Sequence, residues 1–458
     1  MNEASRQGGL VRLRPSRDAR RTTPLALLAI VALALALRVI VIAADSSYQP
    51  TNDALEYDYL ARSIAAGDGY PPSGYLLQAG PTAVRGPGFP FLLGGVYALS
   101  GDSVTAGRLL DALLGAAVVV LLYLIAKRIW GRRVGLLAAA MAAVFPPLVL
   151  LSRDLVSESL FLVLELGALL CVLEFRRSGA MTRWAVAAGA ICGLAILTRP
   201  TGFVLLACVA FGLWTLRSRA SLHSLAAPAA GVLCAVLVLT PWLIRDAAEF
   251  GRVVPVTTSG GIATSGTYNQ ASFEADVEPG AWRDPQAIPR FRPLFMTLGL
   301  DEASVDVALR NDARDFAWEH PAYVAEATGW NFLRLFEVLG GSVIDRESKT
   351  VSERGIGSAD PTAERIGIGI AVVLAAVGLF TLLGPWGKGG NSRRRVPHGP
   401  LFFWAVPILM LLVTAPIAGL PRYRLPVDPF LLILAAIGLL ALRDRLTTSR
   451  APAAGASA

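Results

Sequence analysis

Residues 25–44, LALLAIVALALALRVIVIAA, form an apolar run carrying one charge, Arg38. About 20 such residues are needed for a helix to cross the hydrocarbon core of a bilayer. A basic stretch precedes it (Arg12, Arg14, Arg17, Arg20 and Arg21), so the run also has the outline of a secretory signal. Its length exceeds the usual apolar core of such a signal, and more runs follow, so it reads as an uncleaved first span. Similar runs predict spans at roughly 103–127, 134–151, 155–175, 184–198, 200–217, 224–243, 366–386, 400–419 and 424–442. The shorter apolar stretch 87–100, PGFPFLLGGVYALS, reads as an interfacial or re-entrant helix. Across all 458 residues, 54% are hydrophobic and 17% charged, against about 25% charged in soluble domains. The expected fold class is an all-α polytopic membrane protein of about 10–11 transmembrane helices.

Orientation follows from the basic residues. KRIWGRR, EFRRSGAMTR, RSRASLH, GKGGNSRRRVPHG and RDRLTTSR fall on the same side as the basic N-terminus. That side is cytoplasmic by the positive-inside rule, which puts both termini inside. The net charge of +8 therefore marks topology and not a nucleic-acid partner. The chain divides into a disordered N-terminus 1–24, a membrane region 25–243 holding an outer loop 45–86, a large outer loop 244–365, a membrane region 366–442 and a tail 443–458. The large loop is acidic, with 12 Lys+Arg and 19 Asp+Glu, yet DEASVDVALRNDARDFAWEHPAYVAEATGWNFLRLFE has helical apolar spacing, with Pro321 opening a second helix. Cys171, Cys192, Cys208 and Cys234 all lie in apolar runs and His223, His320 and His398 are scattered, so neither a disulfide framework nor a zinc site is expected.

Basic residues at outer helix ends run against that bias. Arg85, Arg153, Arg199, Arg245, Arg422 and Arg424 stand in RGPGFP, LSRDLVSE, LTRPTG, PWLIRD and LPRYRLP. Singly, each reads equally as an interfacial anchor or as the partner of Asp154, Asp246 or Asp428. Gathered at one face, they suit an anionic ligand, because the guanidinium fork matches phosphate oxygens. The outer loop opens with TNDALEYDYLARSIAAGDGY (51–70), where Tyr57, Leu60, Ala61 and Ile64 share one helical face and Gly67 and Gly69 stop a helix over 54–66. Asp53 and Glu56 have capping-box spacing, which alone accounts for both. The competing reading makes Asp53 a general base beside an arginine-bound phosphate, a leaving group that needs no partner acid.

The same segments, in order, resemble the C-type glycosyltransferases, in particular the protein O-mannosyltransferase and aminoarabinose transferase group. NDALEYDYLARSIAAGDGY resembles that group's Asp-initiated first-loop segment, and RGPGFPFLLGGVYALSGDS its Arg-x-Pro-x-x-Pro stretch. SRDLVSESLFLVLEL, LAILTRPTGF, TPWLIRDAAEFGRVVPVTTSGGIATSGTYN, AWEHPAYVAEATGWNFLRLF and PRYRLPVDPFLLILAAIGL follow in the same order. The resemblance implies inverting transfer of a sugar from a polyprenyl phosphate to a hydroxyl of an extracytoplasmic glycan, lipid or protein. It implies Asp53 as the catalytic carboxylate and Arg85, Arg199, Arg422 and Arg424 near the donor phosphate. Glu56, Tyr57, Asp58, Arg62, Glu158 and Tyr423 are expected around the substrates. Ala54 stands where relatives often carry a second acid, which gives Glu56 or Asp58 a share in that role. Asp246 stands where Asn is frequent, and no soluble domain is expected beyond the last span.

A transporter or flippase of an anionic or lipid-linked substrate is the alternative from another class. It calls for charges near the bilayer midplane, where Arg38 and Glu165 are nearly alone. A membrane scaffold with an acidic docking loop leaves the Pro-Arg motifs unexplained. No obligatory metal is expected, although a divalent cation has candidate ligands in Asp53, Glu56 and Glu158 should they converge. Trp282, Trp318 and Trp330 are assigned to the core of the large loop or to stacking on a sugar. Richness in Ala, Gly and Arg points to a high-GC bacterium and so to its cell membrane, with lipids as neighbours. The sugar and the acceptor are not legible.

Overall fold

The computed structural model describes residues 17–74, 76, 80–178, 181–214, 222–275, 279–297, 299–339, 362–384 and 397–449. The N-terminal residues 1–16, the C-terminal APAAGASA and the basic connections 215–221 and 385–396 lie outside them. Among the described residues the architecture is all-helical, with one isolated bridge between Pro72 and Pro81. We number the helices α1 (Arg17–Ala44), α2 (Asn52–Ala66), α3 (Gly88–Ser100), α4 (Val104–Trp130), α5 (Arg132–Val144), α6 (Pro146–Leu150), α7 (Glu158–Ser178), α8 (Met181–Thr198), α9 (Gly202–Leu213) and α10 (Ala226–Phe250). Short helices α11 (Gly260–Ser265), α12 (Gln270–Phe273) and α13 (Arg292–Met296) precede α14 (Glu302–Glu319) and α15 (Pro321–Leu335). Then come α16 (Thr362–Leu383), α17 (Leu401–Thr414) and α18 (Asp428–Ser449).

Helix is present at every expected span. By length and composition, five helices can cross a membrane (within α1, α4, α10, α16, and the stretch Pro421–Thr447), and a sixth if α5 with the turn Pro146–Arg153 counts as one span. The chain is a multi-pass membrane protein. The expected span 134–151 is bent by 57°. Pro146 and Pro147 supply no N–H to the preceding turn, so the ladder breaks there. Arg38, fully buried, donates to the Leu148 carbonyl beyond the bend and to Ala34 within its own helix. The seventh expected span also runs on past 243, because α10 continues to Phe250.

Apolar side chains line both the inside and the outside of the bundle. Phe161, Leu166 and Leu169 of α7, Phe402 and Phe403 of α17 and Phe430 of α18 are buried in one apolar core. Leu233, Leu237 and Ile244 of α10 and Ile366, Ile370 and Val373 of α16 are exposed, as lipid-facing surfaces require. In lipid, burying apolar surface does little to bring helices together, so close approach depends on small residues. A Cβ on Gly189 of α8 would stand 2.0 Å from the Gly231 carbonyl of α10, and one on Gly193 would be 2.9 Å from the Ala235 carbonyl. Gly378 of α16 meets the Leu434 carbonyl of α18 in the same way, at 2.0 Å. Gly189→Val is therefore expected to force α8 from α10 and lower stability by roughly 1–3 kcal/mol. A thermal melt in detergent that matches wild type would refute this crossing.

Outside the bundle, α2 and α3 form a pair. Tyr57 and Ala61 pack on Phe89, Leu93 and Tyr97, with Leu155 beneath. Tyr97 and Arg62 both donate to Asp58, from 2.6 Å and 2.7 Å. The pairing fixes the face of α2 that carries Asp53 and Glu56.

Candidate active site

The first turn of α2 is not capped as its spacing suggests. The N-cap is Thr51, without a side-chain bond, and the helix starts at Asn52. Asp53 and Glu56 turn away from the helix end toward Arg85. Arg85 Nε donates to Glu56 Oε2 at 2.6 Å, and its Nη2 to Asp53 Oδ1. The other Asp53 oxygen accepts from Arg422 Nη2. Gly67, with φ of 89°, ends the helix as expected.

Arg85 reaches this point because the segment before α3 lies directly on the C-terminus of α8. A Cβ on Gly86 would be 2.4 Å from the Leu197 carbonyl, which is why RGPG carries glycine there. The contact also brings in Arg199, just past α8. Arg199 Nη1 stands 2.7 Å from Glu158 Oε1 and donates to Ser157 Oγ at 3.2 Å; Tyr57 OH donates to the same hydroxyl at 3.0 Å. Arg422 Nε is 3.9 Å from Glu158 Oε1 and makes no hydrogen bond among the described residues. Tyr423 lies under both Arg199 and Arg422, at 5.4 and 5.3 Å.

Three guanidiniums and three carboxylates thus alternate in one chain: Glu56, Arg85, Asp53, Arg422, Glu158, Arg199. Their formal charges cancel, so an incoming anion must take over arginine contacts that Asp53 and its neighbours now hold. Burial pushes the Asp53 carboxyl up, but the charges of Arg422 and Arg85 outweigh it and hold the group well below the usual carboxylate range. Glu56 goes the other way: burial, with the charge of Asp53, raises it against the pull of Arg85.

Asp53, Tyr57, Arg85, Arg199 and Tyr423 line one cavity of about 310 Å³. Its far wall carries hydroxyls from the large loop, Thr257, Ser259 and Thr264, together with Arg310 of α14. Met410, Val413 and Ile417 make an apolar side along α17 and the turn after it. Thr201, at the start of α9, also lines this cavity; its hydroxyl is buried, with no hydrogen-bond partner among the described residues.

Several expected residues lie elsewhere. Arg424, two positions from Arg422 in the same prolyl turn, points the opposite way. It is 1% exposed, donates to Asp428 at 2.8 Å and to the Leu335 carbonyl, and does not line the cavity. Asp58 and Arg62 serve the α2–α3 contact. Arg153 pairs with Asp45 and Arg245 with Asp246, whereas Asp154 accepts from Tyr48. Among the described residues no three His, Cys, Asp or Glu converge as a metal site; the carboxylates proposed as ligands are each joined to arginine. None of the three loop tryptophans lines the cavity. Trp282 donates to the Ile262 carbonyl within the loop, Trp330 to Glu326, and Trp318 is 79% exposed.

Glu302 is the residue that sequence reasoning missed. This buried carboxylate of α14 accepts from Thr82 at 2.8 Å, Thr258 at 2.8 Å, the Ala83 amide at 3.0 Å and Ser73. It ties the large loop to the segment leading into Arg85. Glu302→Ala leaves those donors buried and unmatched, and is expected to cost on the order of 3 kcal/mol. It should lower the melting temperature and disorder Arg85 together. Normal stability in that variant would remove Glu302 from this role.

Residues 84–244 match the family model described as dolichyl-phosphate-mannose-protein mannosyltransferase, which bears out the resemblance drawn from the motifs of that stretch. No curated protein matches the chain. Among solved structures, the apo oligosaccharyltransferase of Archaeoglobus fulgidus matches at a TM-score of 0.55 and 14% identity, covering 95% of this chain and 52% of that one. The oligosaccharyltransferase AglB from the same organism, in complex with an inhibitory peptide and a dolichol-phosphate, matches at 0.53, with 14% identity and the same 95% and 52%. ArnT from Cupriavidus metallidurans, bound to undecaprenyl phosphate, matches at 0.40 and 16% identity, over 92% and 78% of the two chains. The chain thus spans about half the length of the archaeal structures, and what it shares with them is the fold.

Proposed function

We propose that the cavity at Asp53 takes a sugar carried on a polyprenyl phosphate and transfers it, with inversion, to a hydroxyl acceptor on the extracytoplasmic face. The observation that carries this reading is Asp53 at a cavity with one apolar and one hydroxyl-rich side, paired with Arg85, which lines the cavity too, and with Arg422, which is not among its lining residues. Guanidiniums suit the donor phosphate, the α17 side suits an isoprenoid chain, and the hydroxyls suit a sugar. The family match over 84–244 and the archaeal relative's dolichol-phosphate complex support the same donor class. Topology in this reading places both termini in the cytoplasm of a bacterial cell.

The chemistry needs few groups. The donor phosphate takes Arg85, Arg422 and Arg199, and Asp53 loses the cations that keep it a feeble base. Its freed carboxylate accepts the proton of the acceptor hydroxyl while that oxygen attacks the anomeric carbon. The bond from that carbon to the phosphate oxygen breaks, and the phosphate leaves with the electron pair, its charge met by the arginines. Glu56 and Glu158 hold Arg85 and Arg199 in place.

The test is transfer by the purified protein in nanodiscs, offered labelled polyprenyl-phosphate sugars with a panel of acceptors. Release of sugar from at least one donor supports the reading. Movement of intact lipid-linked sugar across the bilayer, without cleavage, would make the protein a flippase. EDTA is expected to leave turnover unchanged, because guanidiniums supply the positive charge at the phosphate. Loss of turnover restored by a divalent cation would contradict that assignment.

A further inference from the structure

Behind the wall formed by Gly86–Gly88 on Leu197 and Thr198 lies a second cavity of about 540 Å³, between α3, α8 and α10. Phe91, Leu194, Leu197 and Trp242 give it an apolar lining, and Tyr70 and Arg245 stand at its rim. The aromatic rings are turned with their polar ends away: Tyr70 OH donates to the Arg85 carbonyl at 3.2 Å and Trp242 Nε1 to the Val256 carbonyl at 2.8 Å. Their faces stay apolar, as in side chains seated at a membrane interface. Phe91 and Leu194 are 51% and 45% exposed, and Leu237 and Ile244 on α10 are exposed too, so the groove continues onto lipid-facing surface.

Arg245 is the charge at this groove, and nothing in the proposed transfer uses it. Its guanidinium stacks over Trp242 at 4.9 Å and Tyr70 at 5.5 Å. Its hydrogen bonds to described residues, to the Thr82 carbonyl at 2.8 Å and to Asp246 at 2.9 Å, both leave from Nη1. Asp246 is fully buried beneath it, while the Arg245 side chain is 24% exposed. An apolar slot open to the acyl region, headed by an aromatic-braced cation, has the charge and shape of a lipid phosphate with its chain.

We propose that the groove between α3, α8 and α10 binds one anionic phospholipid of the surrounding bilayer, its phosphate on Arg245 and an acyl chain along Phe91, Leu194 and Leu197. This site is separate from the donor cavity and does not depend on the transfer reaction.

Native mass spectrometry of the delipidated full chain, given equal phosphatidylglycerol and phosphatidylcholine, tests it. Wild type should retain one phosphatidylglycerol with a preference of roughly five-fold, the usual effect of one basic side chain on an anionic lipid. Arg245→Gln should abolish the preference. Leu194→Trp, a change on the lipid-facing side that fills the groove, should reduce retention of both lipids with the melting temperature unchanged. Millimolar inorganic phosphate should displace neither. An unchanged preference in Arg245→Gln, or full retention in Leu194→Trp, overturns the site. Displacement by inorganic phosphate would leave a bare anion site, and displacement by equimolar undecaprenyl phosphate would give the groove to the donor; both also overturn it.

Discussion

Asp53→Asn is expected to lower turnover by about 10²–10⁴-fold, the usual contribution of a positioned general base, while polyprenyl-phosphate binding is kept or strengthened. The geometry separates these two effects. In the resting protein Asp53 competes with the donor phosphate for Arg85 and Arg422. The amide is nearly the same size but neutral, so it cannot take a proton and no longer holds the cations against the incoming anion. A variant with reduced binding and proportionate loss of turnover would make Asp53 an organiser of the arginines. A variant with full turnover would leave it no part in the chemistry.

Arg422→Ala is expected to weaken donor binding by about 2 kcal/mol or more, roughly 30-fold, because it removes a buried charge paired with Asp53 and close to Glu158. It should also move the acid limb of the pH profile. Burial raises the Asp53 carboxyl, and Arg422 is the strongest influence lowering it, ahead of Arg85. With the folded value held low, wild-type Asp53 stays ionised as the pH falls through the ordinary carboxylate range. Without Arg422 burial is opposed by Arg85 alone, so the group protonates at higher pH and turnover is lost earlier on acidification. The same argument applies to stability: the contribution of this ion pair is present above the unfolded carboxylate value and disappears as pH falls through the folded one. Measuring kcat/KM against pH for both proteins checks the direction. An unmoved acid limb would mean that Arg422 does not govern Asp53.

The spans were legible because a bilayer dictates run length and leaves little choice of backbone. The bend at Phe145 was also written in the chain, as Pro146 and Pro147, but the apolar run continues through it and hides the break. Arg85 and Arg199 were singled out by residue type and neighbouring proline or glycine, and Asp53 by its place in the first outer loop and the family resemblance; the structure pairs Arg85 with Asp53 and sets Arg199 in the same cavity. Arg424 was not separable from Arg422 by sequence, since a tight turn sends side chains two positions apart to different sides. One faces Asp53 and the other closes on Asp428. Glu302 was hidden for another reason. It follows an N-cap, Asp301, and looks like any acid favoured in a first helical turn. Only the fold brings it to Thr82 and Ala83.

The most direct measurement is an experimental structure of Asp53→Asn with undecaprenyl phosphate. The phosphate is expected between Arg85, Arg199 and Arg422, with the isoprenoid chain along Met410 and Val413. A phosphate bound at Arg245, or anywhere else away from those three arginines, would contradict the assignment of this cavity to the donor.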